Sequence, residues 1–187
     1  MNKEFESLLN LARQVKKHFP AFYLAGGTSL MLRHNHRVSI DLDFFNHHPF
    51  SFRHLSFKIR KFFRVETEEH LGDNIDFIID GKKVSFVFFP FENVMPLIKY
   101  NGIKMASDYD VFLNKIYVAG RRVDPKDPFD AAFLFKMYRW ETAKIKLDFE
   151  NKFPDQSFEI YLGALLHFSD YPELPEWVKS ILLELIK

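Results

Sequence analysis

The stretch that decides the reading is residues 26–45, GGTSLMLRHNHRVSIDLDFF. Gly26 and Gly27 stand before a helix whose first hydroxyls, Thr28 and Ser29, can cap it and whose apolar face holds Leu30, Met31 and Leu32. Glycines there let the backbone approach a ligand closely, and the helix mouth offers free N–H groups and a partial positive charge, which suits a phosphate. Residues 39–45 then alternate, with Ile40, Leu42 and Phe44 on one face and Asp41 and Asp43 on the other, so period two predicts a strand. Two carboxylates a strand-step apart repel unless a cation lies between them, and hard oxygen donors favour Mg²⁺, with Mn²⁺ as the alternative. A phosphate cradle facing a carboxylate pair describes metal-assisted phosphoryl or nucleotidyl transfer.

Around that stretch the chain alternates helix and strand. Upstream, Phe5, Leu8, Leu9, Ala12, Val15 and Phe19 recur at helical steps until Pro20, and an apolar run follows at 21–25. Downstream, Phe52, Leu55, Ile59, Phe62 and Phe63 predict a helix over 51–64. Residues 75–79 and 84–89 read as strands joined at Asp80-Gly81, a dipeptide suited to a tight hairpin. A short helix or turn at 94–98 and a short strand at 102–106 complete this part. From residue 107 the pattern is helical. Ser107 with Asp110 resembles a capping box for a helix through Arg121, and Asp127-Pro128 reads as an N-cap carboxylate and first-turn proline for a helix over 129–141. Two further helices are expected at about 155–168 and 175–186. The fold class is therefore α+β: a mixed sheet with flanking helices over 1–106, then a helical bundle over 107–187.

Composition sets limits. A chain of 187 residues, with 47% hydrophobic and 27% charged residues, holds one domain or a small pair and is not disordered. Zero cysteines exclude disulfides, thiolate zinc sites and a thiol nucleophile. No apolar run reaches the ~20 residues of a membrane helix, and the charged start MNKEFESLLNLARQVKKHF has no signal-peptide core, so no membrane partner is expected and the cytoplasm is the expected compartment. Net charge is only +1, yet residues 1–64 carry eleven Lys and Arg against four Asp and Glu, and six of the eight histidines. That bias permits a polyanionic ligand, and Arg37 and the histidines add positive field near the glycines. No histidine pair has helix-face metal spacing with a carboxylate, which argues against zinc. The 23 phenylalanines read as core.

Gly26-Gly27-Thr28, followed by His36-Arg37-x-Ser39-x-Asp41-Leu42-Asp43-Phe44-Phe45, resembles the nucleotidyltransferase family of AbiEii/AbiGii-type toxins, within the DNA polymerase β-like nucleotidyltransferase superfamily. A second signature is similar too: Lys115 in DVFLNKIYVAG, then Lys126-Asp127-Pro128-Phe129-Asp130. The resemblance spans residues 21–135 and implies a nucleotidyltransferase-like sheet domain. Gly26, Gly27, Thr28, Ser29 and Arg37 would bind the nucleotide, Gly27 and Thr28 at the triphosphate. Asp41 and Asp43 would hold the metal, Lys115 would reach phosphate, and Asp127 would complete the site. It further implies an NTP substrate, an RNA (tRNA-like) or protein acceptor, and a cognate antitoxin or a role in phage defence. In the family pattern a third metal carboxylate follows Gly-x-Lys-Val on the return strand; here Ser85 stands there, and Asp76 can substitute only if it faces the same way as Asp41 and Asp43. Two rivals remain open: a degenerate fold that binds a nucleotide or partner without turnover, and a phosphohydrolase using the same carboxylates.

Overall fold

The computed structural model describes residues 3–186, which divide into two compact units: 3–92 with 96–106, and 93–95 with 107–186. The first unit opens with helix α1, Lys3–His18, whose Leu8, Leu9, Leu11, Ala12 and Val15 are buried on one stripe. Strand β1, Tyr23–Ala25, leads into helix α2, Gly26–His34, and strand β2, Leu42–Asn46. Helix α3, Phe52–Ile59, is capped by Ser51, whose hydroxyl accepts from the His54 N–H. Strands β3 (Val65–Leu71), β4 (Asn74–Ile79), β5 (Lys82–Phe88), β6 (Ile98–Tyr100) and β7 (Ile103–Met105) complete a seven-stranded mixed sheet of order β3-β4-β5-β2-β1-β7-β6. At the β4–β5 turn both Asp80 and Gly81 have positive φ, the geometry a two-residue hairpin requires.

Register sorts the sheet into two faces. Leu42 lies opposite Val84, which lies opposite Phe77; Phe44 lies opposite Phe86, which lies opposite Ile75. All six are fully buried and belong to one core with the apolar faces of α1 and α3. Phe86 is the hub, with Phe19, Phe22, Phe44 and Phe77 rings 4.9–6.0 Å away. Because side chains alternate along a strand, the residues between these point to the other face: Asp43 beside Ser85 beside Asp76.

Several boundaries differ from the periodicity. β2 begins at Leu42, not 39, because β5 pairs only from that residue and β1 offers three residues; Val38 and Ile40 are exposed. Helix α3 ends at Ile59, where tighter turns at 61–63 free Phe62 to stack on His18 at 3.8 Å. Of the helix or turn expected at 94–98, the chain makes only a bend at 94–95, and β6 begins at Ile98. β3 escapes the pattern because, as an edge strand, it buries none of its residues fully and carries Glu66, Glu68 and Glu69. Glu68 ties it to α3, accepting from Ser56 at 2.6 Å and Arg60 at 2.7 Å and pairing with His70 at 2.9 Å.

The second unit holds helices α4 (Asp108–Ala119), α5 (Lys126–Tyr138), α6 (Thr142–Lys152), α7 (Phe158–Leu165) and α8 (Glu176–Leu182). α6 was not expected: only Ile145 and Phe149 give it a core-facing apolar repeat. α7 starts at Phe158 because Pro154 and the positive φ of Asp155 precede it. Ser107 caps α4 as the capping-box pattern implies, its hydroxyl accepting from the Asp110 N–H at 2.9 Å. Asp110 is fully buried and fully engaged. Its carboxylate accepts from Val94 N at 2.7 Å, Met95 N at 3.0 Å, Ser107 Oγ at 2.7 Å and Lys152 Nζ at 2.7 Å. Burial pulls the Lys152 ammonium below the ordinary lysine range, with the Asp110 charge opposing.

Two outcomes follow for stability. Asp110→Ala, which strands a buried ammonium and two backbone donors, is expected to destabilise the protein by about 3–5 kcal/mol in denaturant unfolding. Burial acts to raise the Glu68 carboxyl, but its hydrogen bonds with Ser56, His70 and Arg60 outweigh that and hold it at about 2. Stability from this depressed carboxyl is present above the ordinary carboxylate range and is lost as pH falls through it towards 2. Glu68→Gln should therefore show a shallower loss of melting temperature than wild type between pH 5 and pH 2, both limits being approximate.

Candidate active site

The site is assembled by strand pairing. β1 and β2 run antiparallel with Ala25 opposite Asp43, so the first residue of α2, Gly26, lies against that carboxylate. Gly26 has φ +69°, in the left-handed region, and a Cβ built on it would meet Asp43 Oδ2 at 2.8 Å. Glycine is thus required twice, by conformation and by contact. The N-cap of α2 is Ala25, with no side-chain capping bond, which leaves the helix's first-turn N–H groups to another acceptor.

The hydroxyls expected at the helix mouth are used internally. Ser29 donates to the Gly26 carbonyl at 2.8 Å and is fully buried; Thr28, also buried, shares a 2.7 Å hydrogen bond with Ser39. Both sit within the helix rather than at its cap. They shape the turn, so what the helix mouth presents to an anion is its first-turn backbone N–H groups and the positive end of the helix dipole. Gly27 is buried beside them. Arg37 donates to the Val38 carbonyl at 3.0 Å and lines a hollow of about 130 Å³ with Phe5, Leu8 and Ile40.

Asp43 projects from β2 and is half-buried; Asp41, one residue before the strand, is half-buried as well. Both charges act on a residue the sequence reading passed over, Lys83. Lys83 lies on β5 two residues before Ser85, on the same face, with Nζ 2.7 Å from Asp76 Oδ2. Its hydrogen bond to Asp76 raises the ammonium above the ordinary lysine range; partial burial opposes, and the charges of Asp76, Asp43 and Asp41 reinforce. The available signal was the two-residue spacing of Lys83 from Ser85, which a Lys-Lys pair after a hairpin turn disguises as solvated surface.

Asp76 does face the same way as Asp43, but Ser85 stands between them in the ladder. Its carboxylate turns to Lys83, and among the described residues no group of three or more His, Cys, Asp or Glu side chains is placed to hold a metal ion. The expected three-ligand set of Asp41, Asp43 and Asp76 is therefore not assembled, because one strand separates Asp76 from the pair and an ammonium claims it. Asp43 at the helix mouth, with Asp41 two residues before it, offers the hard oxygen donors that one divalent cation takes, with a nucleotide's own phosphates to complete its shell.

In the second unit, Lys115 and Asp127 form a buried cluster. Lys115 Nζ lies 2.7 Å from Asp127 Oδ1 and 2.9 Å from Asp130 Oδ2, and Arg122 Nε donates to Asp127 Oδ2 at 2.9 Å. Burial pulls the Lys115 ammonium down, but Asp130 and Asp127 outweigh it and raise it. Asp127 is no N-cap: α5 begins at Lys126, and Asp124 instead accepts from the Lys126 N–H at 3.0 Å. Its carboxylate serves Lys115 and Arg122.

Comparison with known proteins agrees with this geometry. An uncharacterized protein of Aquifex aeolicus (strain VF5) is 35% identical over 160 residues, 81% of this chain and 76% of the relative. A candidate nucleotidyltransferase of Helicobacter pylori, 19% identical, superimposes with a TM-score of 0.58 over 99% of this chain and 92% of its own. The Megavirus polyadenylate synthase, 12% identical, gives a TM-score of 0.52 over 75% of this chain and 33% of its own. These likenesses establish the nucleotidyltransferase fold. The family described as Nucleotidyl transferase AbiEii toxin, Type IV TA system, matches residues 10–106, which hold the glycine turn and both aspartates. With more than half of the sequence under that match, the chain belongs to the AbiEii nucleotidyltransferase toxin family.

Proposed function

We propose that the protein transfers a nucleoside monophosphate from an NTP to a hydroxyl of an RNA, tRNA-like, or protein acceptor, acting in the cytoplasm as the toxin of a toxin–antitoxin or phage-defence pair. The observation that carries this reading is the close approach of Gly26 to Asp43, which sets the N-terminus of α2, where the N-cap residue makes no side-chain bond, beside a carboxylate. The first-turn N–H groups of α2 would hold triphosphate oxygens. Asp41 and Asp43 would hold the cation, and either could take the proton of the attacking hydroxyl. The acceptor oxygen forms a bond to the α-phosphorus, the bond to the bridging oxygen breaks, and pyrophosphate leaves. Held by Asp41 and Asp43, a Mg²⁺ ion would supply charge neutralisation for the triphosphate. The phosphate-binding role of Lys115 and the supporting role of Asp127, which the family resemblance implies, belong to the same proposal.

A second reading has its own support. Ser85 between Asp43 and Asp76 favours a degenerate member that binds a nucleotide or partner without turnover. NTP binding by calorimetry that ignores Mg²⁺ and survives Asp41→Asn with Asp43→Asn would select it. Release of inorganic phosphate rather than pyrophosphate would select a phosphohydrolase.

The direct test is incubation with α-labelled NTPs, Mg²⁺, total tRNA and protein extract. Label should pass to RNA or protein with wild type, and Asp43→Asn should lower the rate by at least about 10²-fold; equal behaviour of the two would end the enzymatic reading. Gly26→Ala is expected to weaken NTP binding at least tenfold while costing about 1–2 kcal/mol of stability, read by nucleotide titration beside denaturant unfolding.

A further inference from the structure

We propose that Lys83 is a built-in cation of the carboxylate site: it pairs with Asp76 and limits the site to one divalent ion. This rests on the metal-dependent reading above and specifies its metal stoichiometry. Across the sheet, Asp43, Ser85 and Asp76 form one row on one face, so two strand spacings, ~10 Å, separate the two aspartates. Lys83 reaches into that row from the same strand as Ser85, 2.7 Å from Asp76 Oδ2 and within the fields of Asp43 and Asp41. Asp76 is buried, and its other oxygen, Oδ1, has no hydrogen-bond partner.

A carboxylate in that position needs a positive charge. In a site with a third carboxylate at the Ser85 position, a second metal ion could provide it. Here the ammonium does so. With Asp76 paired to Lys83, the Asp41–Asp43 pair keeps two negative charges, which a single divalent ion balances; Glu69, opposite Asp76 on the next strand, adds a further negative charge at the far end of the row. Beside Lys83 a hollow of about 90 Å³, bounded by Thr67, Glu69 and Asp76, keeps the position open at the surface. Lys83 thus acts as a positioning residue: it holds Asp76 off the metal and keeps the Asp41–Asp43 pair from carrying a third repulsive charge.

Mn²⁺ titration calorimetry of the whole chain, without nucleotide, tests this, with a melting curve for each variant. Wild type should bind one Mn²⁺, and Asp43→Asn should abolish it. Lys83→Met should either admit a second Mn²⁺ or tighten the first about tenfold, and Mg²⁺ should raise its melting temperature more than that of wild type. Lys83→Arg should match wild type. Asp76→Asn, which frees the ammonium towards Asp41 and Asp43, should weaken Mn²⁺ about tenfold and decides the matter should Lys83→Met not fold. Asp43-dependent Mn²⁺ binding that neither Lys83→Met nor Asp76→Asn alters overturns the inference alone. A wild type without Asp43-dependent binding overturns the metal-dependent reading and this inference with it.

Discussion

The antiparallel pairing of β1 with β2 is the constraint on which the site depends. It fixes Ala25 opposite Asp43, and the next residue must then turn into α2 in front of a carboxylate. A Cβ there would press on Asp43 Oδ2 at 2.8 Å and the φ is +69°, so glycine alone sits there without displacing the carboxylate or straining the backbone. The pairing is itself secured from the other face, where Leu24, Leu42 and Phe44 are wholly buried. A one-residue slip would send Asp43 into the phenylalanine core and Phe44 into the site. Core packing and site geometry are therefore one specification, written on alternate residues of the same short strand.

The opposite arrangement governs the helical unit, where charge lies inside. Asp110 with Lys152 and Asp127 with Lys115 are buried pairs completed by further donors. Such pairs stabilise little compared with apolar replacements, but they tolerate only one arrangement. Asp110 fixes where residues 94 and 95 attach, and Asp127 fixes the start of α5 against α4. Both are specifications of position more than sources of stability.

Local signals were legible in the sequence, and long-range ones were not. The glycine turn, the aspartate pair, the Asp80-Gly81 hairpin and the Ser107 cap each depend on neighbours within a few residues. The Asp110–Lys152 pair spans 42 residues and leaves no local pattern. Asp127 looked like a cap because Asp-Pro commonly begins helices, yet a partner on another helix determined its use. Lys83 was hidden for a related reason: its meaning lies across the ladder, in Asp76, rather than along the strand. β3 gave no hydrophobic alternation because solvent reaches most of it.

That polar outermost strand has a consequence for how the molecule behaves in a crowd. The open rim of a β-sheet presents unsatisfied peptide groups that invite another chain to add on, the first step towards fibrous polymer. Glu66 and Glu69, exposed at this rim, make every approaching copy meet its own like charges, and the register irregularity between Val65 and Thr67 spoils a straight docking line. The same acidic run that concealed the strand from its hydrophobic pattern thus disfavours addition of another chain at this rim of the sheet.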